Sequence, residues 1–496
     1  MRTKQERQTV KMYSAAEELL QKDEFFIVHE DEPKPVPAAT HIAQGAEAPK
    51  TQFVTTDPTE RKKGSEPLTG SRSSLDKDKR MDIPTIVSYL QWHMDRISEN
   101  VVGRGEIVRQ AMYAIITREH MLLLSRTGMA KSFLANYIFN TFEQVRVFSS
   151  QASKDQTPDN YFGPYNIDEF RKGRIRHNIH GSIIEADLVF LDEFFDASDV
   201  VLRSLLSVLN ERRFINGQEV IDAAVHTAIA TANYMRMNEV TEAVLDRFNF
   251  KSIIPEDNNT YTQLLIDHTY AYSHGKPIDP EKKIPFGNMI YLSEIVKNEN
   301  HDIHVVVPDF IYFMKNVIVN KFVSNMRKSE YNFFISPRKQ AKMTDFLRAS
   351  AILDNRFEVT MKDLENLYLT VCTLNSYVSV KTKDKSEKDV YLDAYQQTMV
   401  HFNSTGAIQQ IELLLGIRKF FQDLRENPEK KERLHEAKGL LEGLKGLIRK
   451  LFPSRVKDDD GDMTIEQLKN TVLELNPVVE EVRELKEGLL KDFRDL

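Results

Sequence analysis

Residues 121–139 read MLLLSRTGMAKSFLANYIF. The first four, Met121 to Leu124, are apolar and strand-forming. Ser125 to Ala130 then turn, and Lys131-Ser132 open an apolar helical run from Phe133 to Phe139. Strand, tight loop, Lys-Ser and helix form the order of a phosphate-binding loop. Backbone N–H groups of Arg126, Thr127, Gly128, Met129, Ala130, Lys131, Ser132 and Phe133 would converge where the helix dipole also favours negative charge. Lys131 adds a full positive charge for β- and γ-phosphates, and the Ser132 hydroxyl suits Mg²⁺. The pattern is incomplete, because Ser125 and Ala130 stand where glycine is usual and only Gly128 remains inside the loop.

The second deciding stretch is Asp187 to Glu193, DLVFLDE. An apolar strand ends there in two adjacent carboxylates, and in parallel α/β sheets ligands sit at the carboxyl ends of strands. Asp192 is therefore expected in the Mg²⁺ shell and Glu193 against the attacking water. A third strand, Thr227 to Ala232, ends in Asn233, an amide able to orient that water. Arg247 follows in VLDRF (residues 244–248), just before another strand, and suits an arginine finger offered to a neighbouring subunit. Ser336-Pro337-Arg338 reads as a helix start, with Ser as cap and Pro at the first position, so that Arg338 projects from the first turn.

Around these motifs the chain divides by composition. Residues 1–80 are rich in proline and charge and cannot bury enough apolar surface to order, apart from an amphipathic stretch at Val10–Ile27. Ile83, Ile86, Val87, Leu90 and His93 recur at helical spacing and open an α/β core over 81–255. Within it, Gln144 to Ser149 reads as a strand, and Lys172 to His177 alternates like a basic hairpin strand. Residues 256–380 read as helical, and a charged linker leads to a helical unit at 381–496. There Ile465, Leu468, Val472, Leu475, Val479 and Val482 form a coiled-coil-like seam that Pro477 splits into two helices. Asp458 to Asp462 is acidic, but aligned as a calcium loop it lacks carboxylates at positions 1 and 12.

The chain has 496 residues, 28% charged and 41% hydrophobic, which reads as soluble and globular. It has no apolar run of the roughly 20 residues needed to span a bilayer. The start lacks an apolar signal core, so the expected location is cytoplasmic. One cysteine, Cys372, excludes an internal disulfide framework and reads as a small core residue. A net charge of −7 argues against a dedicated nucleic-acid binder.

Taken in order, SRTGMAKS, VFLDEFFDAS, LLSVLNERRFINGQ, ATANY, AVLDRF and SPRKQ resemble the MoxR family of AAA+ ATPases, and NYFGPYNID its RavA branch. The likeness covers about residues 83–377. It implies a P-loop NTPase (AAA+) α/β core with an all-α lid, beside which the C-terminal helices form an additional domain. By resemblance, Lys131 and Ser132 are the Walker A pair, and Asp192 and Glu193 the Walker B pair. Asn233 is sensor 1, Arg247 the arginine finger and Arg338 sensor 2, while the segment between Gln151 and His180 holds a helix-2 insert. Ala130 is usual in the family and Ser125 is a departure. The family binds ATP with Mg²⁺, assembles as rings, usually hexamers, and remodels partner proteins as chaperones do, often with a partner carrying a von Willebrand factor A domain. Two other readings stay open: a nucleotide-gated scaffold that recruits an effector, and a nucleic-acid-linked motor using Arg174 and Arg176.

Overall fold

The structure, a computed structural model, describes residues 80–216, 219–234, 244–254, 259–273, 280–328, 333–374, 385–426, 438–452 and 465–493. The Val10–Ile27 stretch, Gly217 and Asp458–Asp462 lie outside them. By internal contacts the chain forms two compact units. One comprises Met1–Val305, Ser336–Phe357 and Leu369–Ser379, and the other Val306–Ile335, Glu358–Tyr368 and Val380–Leu496. Stretches of the segment 256–380 are therefore found in both.

The first unit is built on a six-stranded sheet. Its strands are β1 (His120–Leu124), β3 (Val147–Gln151), β4 (Leu188–Asp192), β7 (Thr227–Ala232), β8 (Phe248–Ile253) and β10 (Thr373–Leu374). Short pieces β2 (Phe142–Glu143) and β9 (Ile284–Pro285) pair with each other, and β5 (Arg213–Asn216) with β6 (Glu219–Asp222) makes an antiparallel hairpin. The sheet order is β10-β8-β1-β7-β4-β3, and every neighbouring pair is parallel. Residues in β1 and β7 are buried throughout, as expected of strands covered on both faces. β1 lies between β7 and β8, so the chain leaving it enters the crevice where the strand order reverses, the usual ligand position in such sheets.

Helices flank the sheet for sequence reasons that are easy to trace. Ile83–Asn100 starts at Asp82, whose carboxylate accepts from Thr85 N–H at 3.1 Å, and it buries Ile83, Ile86, Val87, Leu90, His93 and Ile97 at the expected spacing. Gly105–Ile116 buries Ile107 through Ile116 except Arg109. Within it, Gln110 donates to the carbonyls of Lys251 (3.1 Å) and Leu369 (2.7 Å) and accepts from Ser252 (2.7 Å), which satisfies its amide and ties the helix to β8. Cys372 is buried, as expected of a small core residue.

Two strand expectations are corrected. β3 begins at Val147 rather than Gln144, because Gln144 takes a left-handed φ of 54° that breaks extended backbone. Lys172 to His177 forms no hairpin strand. Gly173 turns at φ 77°, Lys172 and Arg174 reach back to Glu169 at 2.8 and 3.8 Å, and only an isolated bridge joins Tyr165 to His177.

In the second unit, Asp309–Arg327 packs on Glu387–Thr405, and Ala407–Glu426 packs on Lys438–Leu451 and Glu480–Asp492. Tyr391, fully buried, donates to the Leu364 carbonyl at 2.6 Å. The seam residues Leu468, Val472, Leu475, Val479 and Val482 are buried, and the chain breaks at Pro477 into Ile465–Glu474 and Glu480–Asp492. Gln410 spans the break. It donates to Asn476 O at 2.8 Å and accepts from Val478 N–H at 3.1 Å. Among the described residues, no helix is long and apolar enough to cross a membrane.

Candidate active site

The ends of four neighbouring strands, β1, β7, β4 and β3, meet at one edge of the sheet. After β1, the Ser125 N–H donates to Ala232 O at 3.0 Å, extending the β1–β7 pairing by one residue, and its hydroxyl donates to Arg126 O at 3.1 Å. Ser125 is fully buried and its φ is not left-handed, so this position does not need glycine. Left-handed backbone occurs instead at Gly128 (φ 85°) and Ala130 (φ 59°). For alanine that conformation costs about 1–2 kcal/mol, strain held at the mouth of the Lys131–Phe139 helix. Thr127, Gly128 and Ala130 are exposed and Arg126 and Met129 half-buried, which leaves the loop open to a ligand. Phe133 is also exposed, its ring edge-on to Tyr137 at 4.5 Å.

Lys131 is buried under this loop. Its ammonium donates to Ser125 O at 3.0 Å, to Ala232 O at 3.5 Å and to Asn233 Oδ1. Burial lowers its proton affinity, and the nearby carboxylates of Asp192 and Glu193 oppose that shift. Ser132 Oγ donates to Asp192 Oδ2 at 3.1 Å. The other oxygen of Asp192 accepts from Thr231 Oγ1 and from Glu193 N–H at 3.0 Å. Glu193 has a left-handed φ of 52°, and both its oxygens are held by amides: Oε2 by Gln151 Nε2 at 2.8 Å and Oε1 by Asn233 Nδ2 at 3.2 Å. Asn233 thus bridges Lys131 and Glu193.

The structure brings Lys131, Ser132, Asp192, Glu193 and Asn233 into one connected set, as the motifs led us to expect. It adds two residues that sequence reasoning passed over. Gln151 ends β3 in register with Asp192, and Thr231 stands in the otherwise apolar β7. The signal for Thr231 was a hydroxyl in a buried strand two residues before the amide. Gln151 had none, since its partner Glu193 is 42 positions away.

Arg247 and Arg338 are elsewhere. Arg247 immediately precedes β8, and Phe248 pairs with His120, the first residue of β1. The phosphate loop follows the last residue of β1, so Arg247 stands at the opposite edge of the sheet, roughly 13 Å away along the strand. Arg338 lies at the same edge as Arg247. Its guanidinium is 3.5 Å from Asp246, which is also 3.4 Å from Arg247. The helix Pro337–Leu353 starts as expected, with Ser336 Oγ accepting from Lys339 N–H at 3.3 Å.

Among the described residues, no cluster of three or more His, Cys, Asp or Glu could hold a metal alone. The Ser132 hydroxyl and the Asp192 carboxylate nonetheless fit Mg²⁺. This ion is a hard cation that takes one or two protein oxygens and completes its shell with water and substrate phosphates.

Comparison with known proteins agrees with this geometry. Residues 88–294 match the family described as the MoxR domain in the MoxR-vWA-beta-propeller ternary systems, and residues 308–373 match an AAA lid domain. An uncharacterised protein of Methanocaldococcus jannaschii is 25% identical over 57% of this chain and 70% of its own length. A second from the same organism is 24% identical over 55% and 68%. The chaperone MoxR1 of Mycobacterium tuberculosis is 24% identical over 53% of this chain and 69% of its own. The chain is thus similar to the MoxR domain over residues 88–294 and to an AAA lid domain over residues 308–373.

Proposed function

We propose that this chain is an ATP-hydrolysing motor that works as a ring and remodels a partner protein. The observation that carries the reading is the hydrogen-bonded set running from Lys131 through Asn233 to Glu193 and Gln151, beside the Ser132–Asp192 pair. A general base, a phosphate-binding ammonium and an oxygen pair for a divalent cation converge at the mouth of a helix N-terminus.

The phosphates would lie along residues 126–133. Lys131 would leave its carbonyl partners for the β- and γ-phosphates, since a phosphate outcompetes a neutral carbonyl for an ammonium. Ser132 and Asp192 would hold Mg²⁺, which neutralises charge building on the phosphate oxygens. Glu193 would accept a proton from a water as its oxygen bonds to the γ-phosphorus and the bond to the β-phosphate oxygen breaks. Gln151 and Asn233 aim the carboxylate, and Asn233 can share the water. Arg247, at the far edge of its own sheet, would act on a nucleotide bound by a neighbouring copy. That requirement supports a ring, with six subunits as the resemblance implies.

The matched domain's description, from systems that combine MoxR with vWA and beta-propeller proteins, supports a partner with a von Willebrand factor A domain. Within the family the motifs resemble the RavA branch. In this reading residues 81–255 are the nucleotide-binding core, 256–380 the lid and 381–496 an accessory helical domain, and the protein works in the cytoplasm.

The test is steady-state ATP turnover beside ATP binding for the wild type and Glu193→Gln. We expect the variant to bind ATP and lose turnover by roughly 10²–10⁴-fold, the usual share of a general base. Equal turnover in both would contradict the assignment. Binding without turnover in the wild type would favour the nucleotide-gated scaffold instead.

A further inference from the structure

In the second unit, Ala407–Glu426 packs against both Asp309–Arg327 and Glu480–Asp492, and a cleft of about 460 Å³ opens between the latter two helices. That volume lies in the range of ligand-binding clefts. Its walls have opposite charge: Lys321 and Lys328 line one, and Glu480, Glu481 and Glu484 the other. These charges do not cancel across the gap. Lys328 donates to Asn325 on its own side at 3.2 Å, and Glu480 pairs with Arg483 of its own helix at 2.6 Å. Among the described residues, Lys321, Glu481 and Glu484 have no ion-pair partner. Along the lysine wall, Asn316, Asn320 and Ser324 stand exposed at steps of four residues, and Phe313 lines the cleft half-buried near the helix start.

Facing walls of opposite charge select a ligand that carries both signs on different sides. An open chain meets that demand better than a helix. The amides of Asn316 and Asn320 both donate and accept, so they match backbone C=O and N–H groups that have no other partner. A helix satisfies those groups internally, whereas a polyproline II chain leaves them free. The spacing agrees. Lys321 and Lys328 are seven residues apart on nearly the same helix face, about 10.5 Å along the axis. Side chains three residues apart in polyproline II also share a face, at about 9.3 Å. Phe313 adds an aromatic surface of the kind that receives proline rings. We infer that this cleft binds a polyproline II segment of a partner protein, with acidic residues at i and i+3 on the lysine wall and basic residues on the adjoining face for Glu481 and Glu484. A Pro-Glu-Lys repeat, with three residues per turn, presents a proline, an acidic and a basic face.

The test is fluorescence anisotropy of labelled synthetic peptides titrated with the full-length chain at low salt. A peptide of Pro-Glu-Lys repeats should bind saturably and roughly tenfold tighter than one of Pro-Gln-Gln repeats, the sum of a few exposed ion pairs. Its affinity should fall as salt rises. Lys321→Glu should weaken the Pro-Glu-Lys peptide and strengthen a Pro-Lys-Lys peptide in its place, and Lys328→Glu should repeat that result. Glu484→Lys should shift the preference the other way, toward Pro-Glu-Glu repeats. Asn320→Leu should weaken every bound peptide several-fold whatever its charges, with the thermal midpoint unchanged. No binding, or equal binding of the neutral and the mixed-charge peptides, would overturn the proposal. So would a wild-type preference for Pro-Glu-Glu repeats that Glu484→Lys leaves unmoved, which would mean a plain polyanion site. Tighter binding of a helix-forming peptide of Ala, Glu and Lys would overturn it too, and would put a helix in the cleft.

Discussion

The two edges of the parallel sheet differ in what they can do alone. At the carboxyl edge, the ends of β1, β3, β4 and β7 supply an ammonium, a hydroxyl, two carboxylates and two amides that already contact each other. At the amino edge, two arginines pair with Asp246, and the strand register puts them about a strand length from the phosphate loop that follows β1. In the proposed reading the first edge holds the reacting groups and the second the arginine that a neighbouring copy would receive. A parallel sheet thus keeps the two sets at opposite ends of its strands within one chain.

The largest expected effect comes from breaking the amino edge. Arg247→Ala should lower turnover by roughly 10³–10⁵-fold, the range for an arginine acting on a transferring phosphoryl group. ATP binding to dilute chains should not change, and a weakened affinity there would place Arg247 at its own chain's site. At the carboxyl edge, Gln151→Ala should be milder. It removes one of two amides from Glu193 while Asn233 remains, and a lost hydrogen bond to a charged, exposed group suggests about a tenfold fall in kcat. Unchanged kcat would make Gln151 a bystander of the site.

What the sequence made legible follows this same division. The carboxyl edge was readable because each group lies at or just beyond the end of its own strand: Lys131 after MLLL and a six-residue loop, Asp192 at the end of LVFLD and Asn233 after TAIATA. Strand polarity alone then brings them together. The helix start at Ser336 was readable for an equally local reason. Asp246 was not singled out, because its pairing with Arg338 joins positions 92 residues apart, and nothing local marks it. Lys172 to His177 misled because alternation is a weak sign of a strand when a glycine turn and a nearby Glu169 offer another way to satisfy the charges.

Beneath both edges, pH should act through the core. His226 is buried, with Nε2 2.8 Å from Ile115 O, and burial lowers its pKa to about 3. Buried His120 is shifted down for the same reason, and the Ala228 N–H donates to its Nδ1 at 3.0 Å. Below about pH 6.5 the unfolded chain takes up protons that the folded chain refuses. The stability contributed by these neutral histidines is therefore complete above pH 6.5 and falls as the pH drops toward 3. His226→Gln should flatten that acid loss in denaturant melts taken from pH 7 to 4, and an unaltered slope would contradict the account. The smallest effect is expected at the phosphate loop, where Ala130→Gly should relieve left-handed strain and raise stability by about 1 kcal/mol or less, measured by thermal unfolding. A loss of stability would mean the alanine is not strained.

The central claim is that a site built on one chain is completed by the opposite edge of another. The most direct measurement is ATP turnover per chain as the protein concentration is raised from well below to well above assembly, with Glu193→Gln as the control. We expect turnover per chain to rise steeply and then level off in the wild type, and to stay near zero in the variant. Turnover per chain that is constant down to the monomer would contradict the claim and place every catalytic group within a single chain.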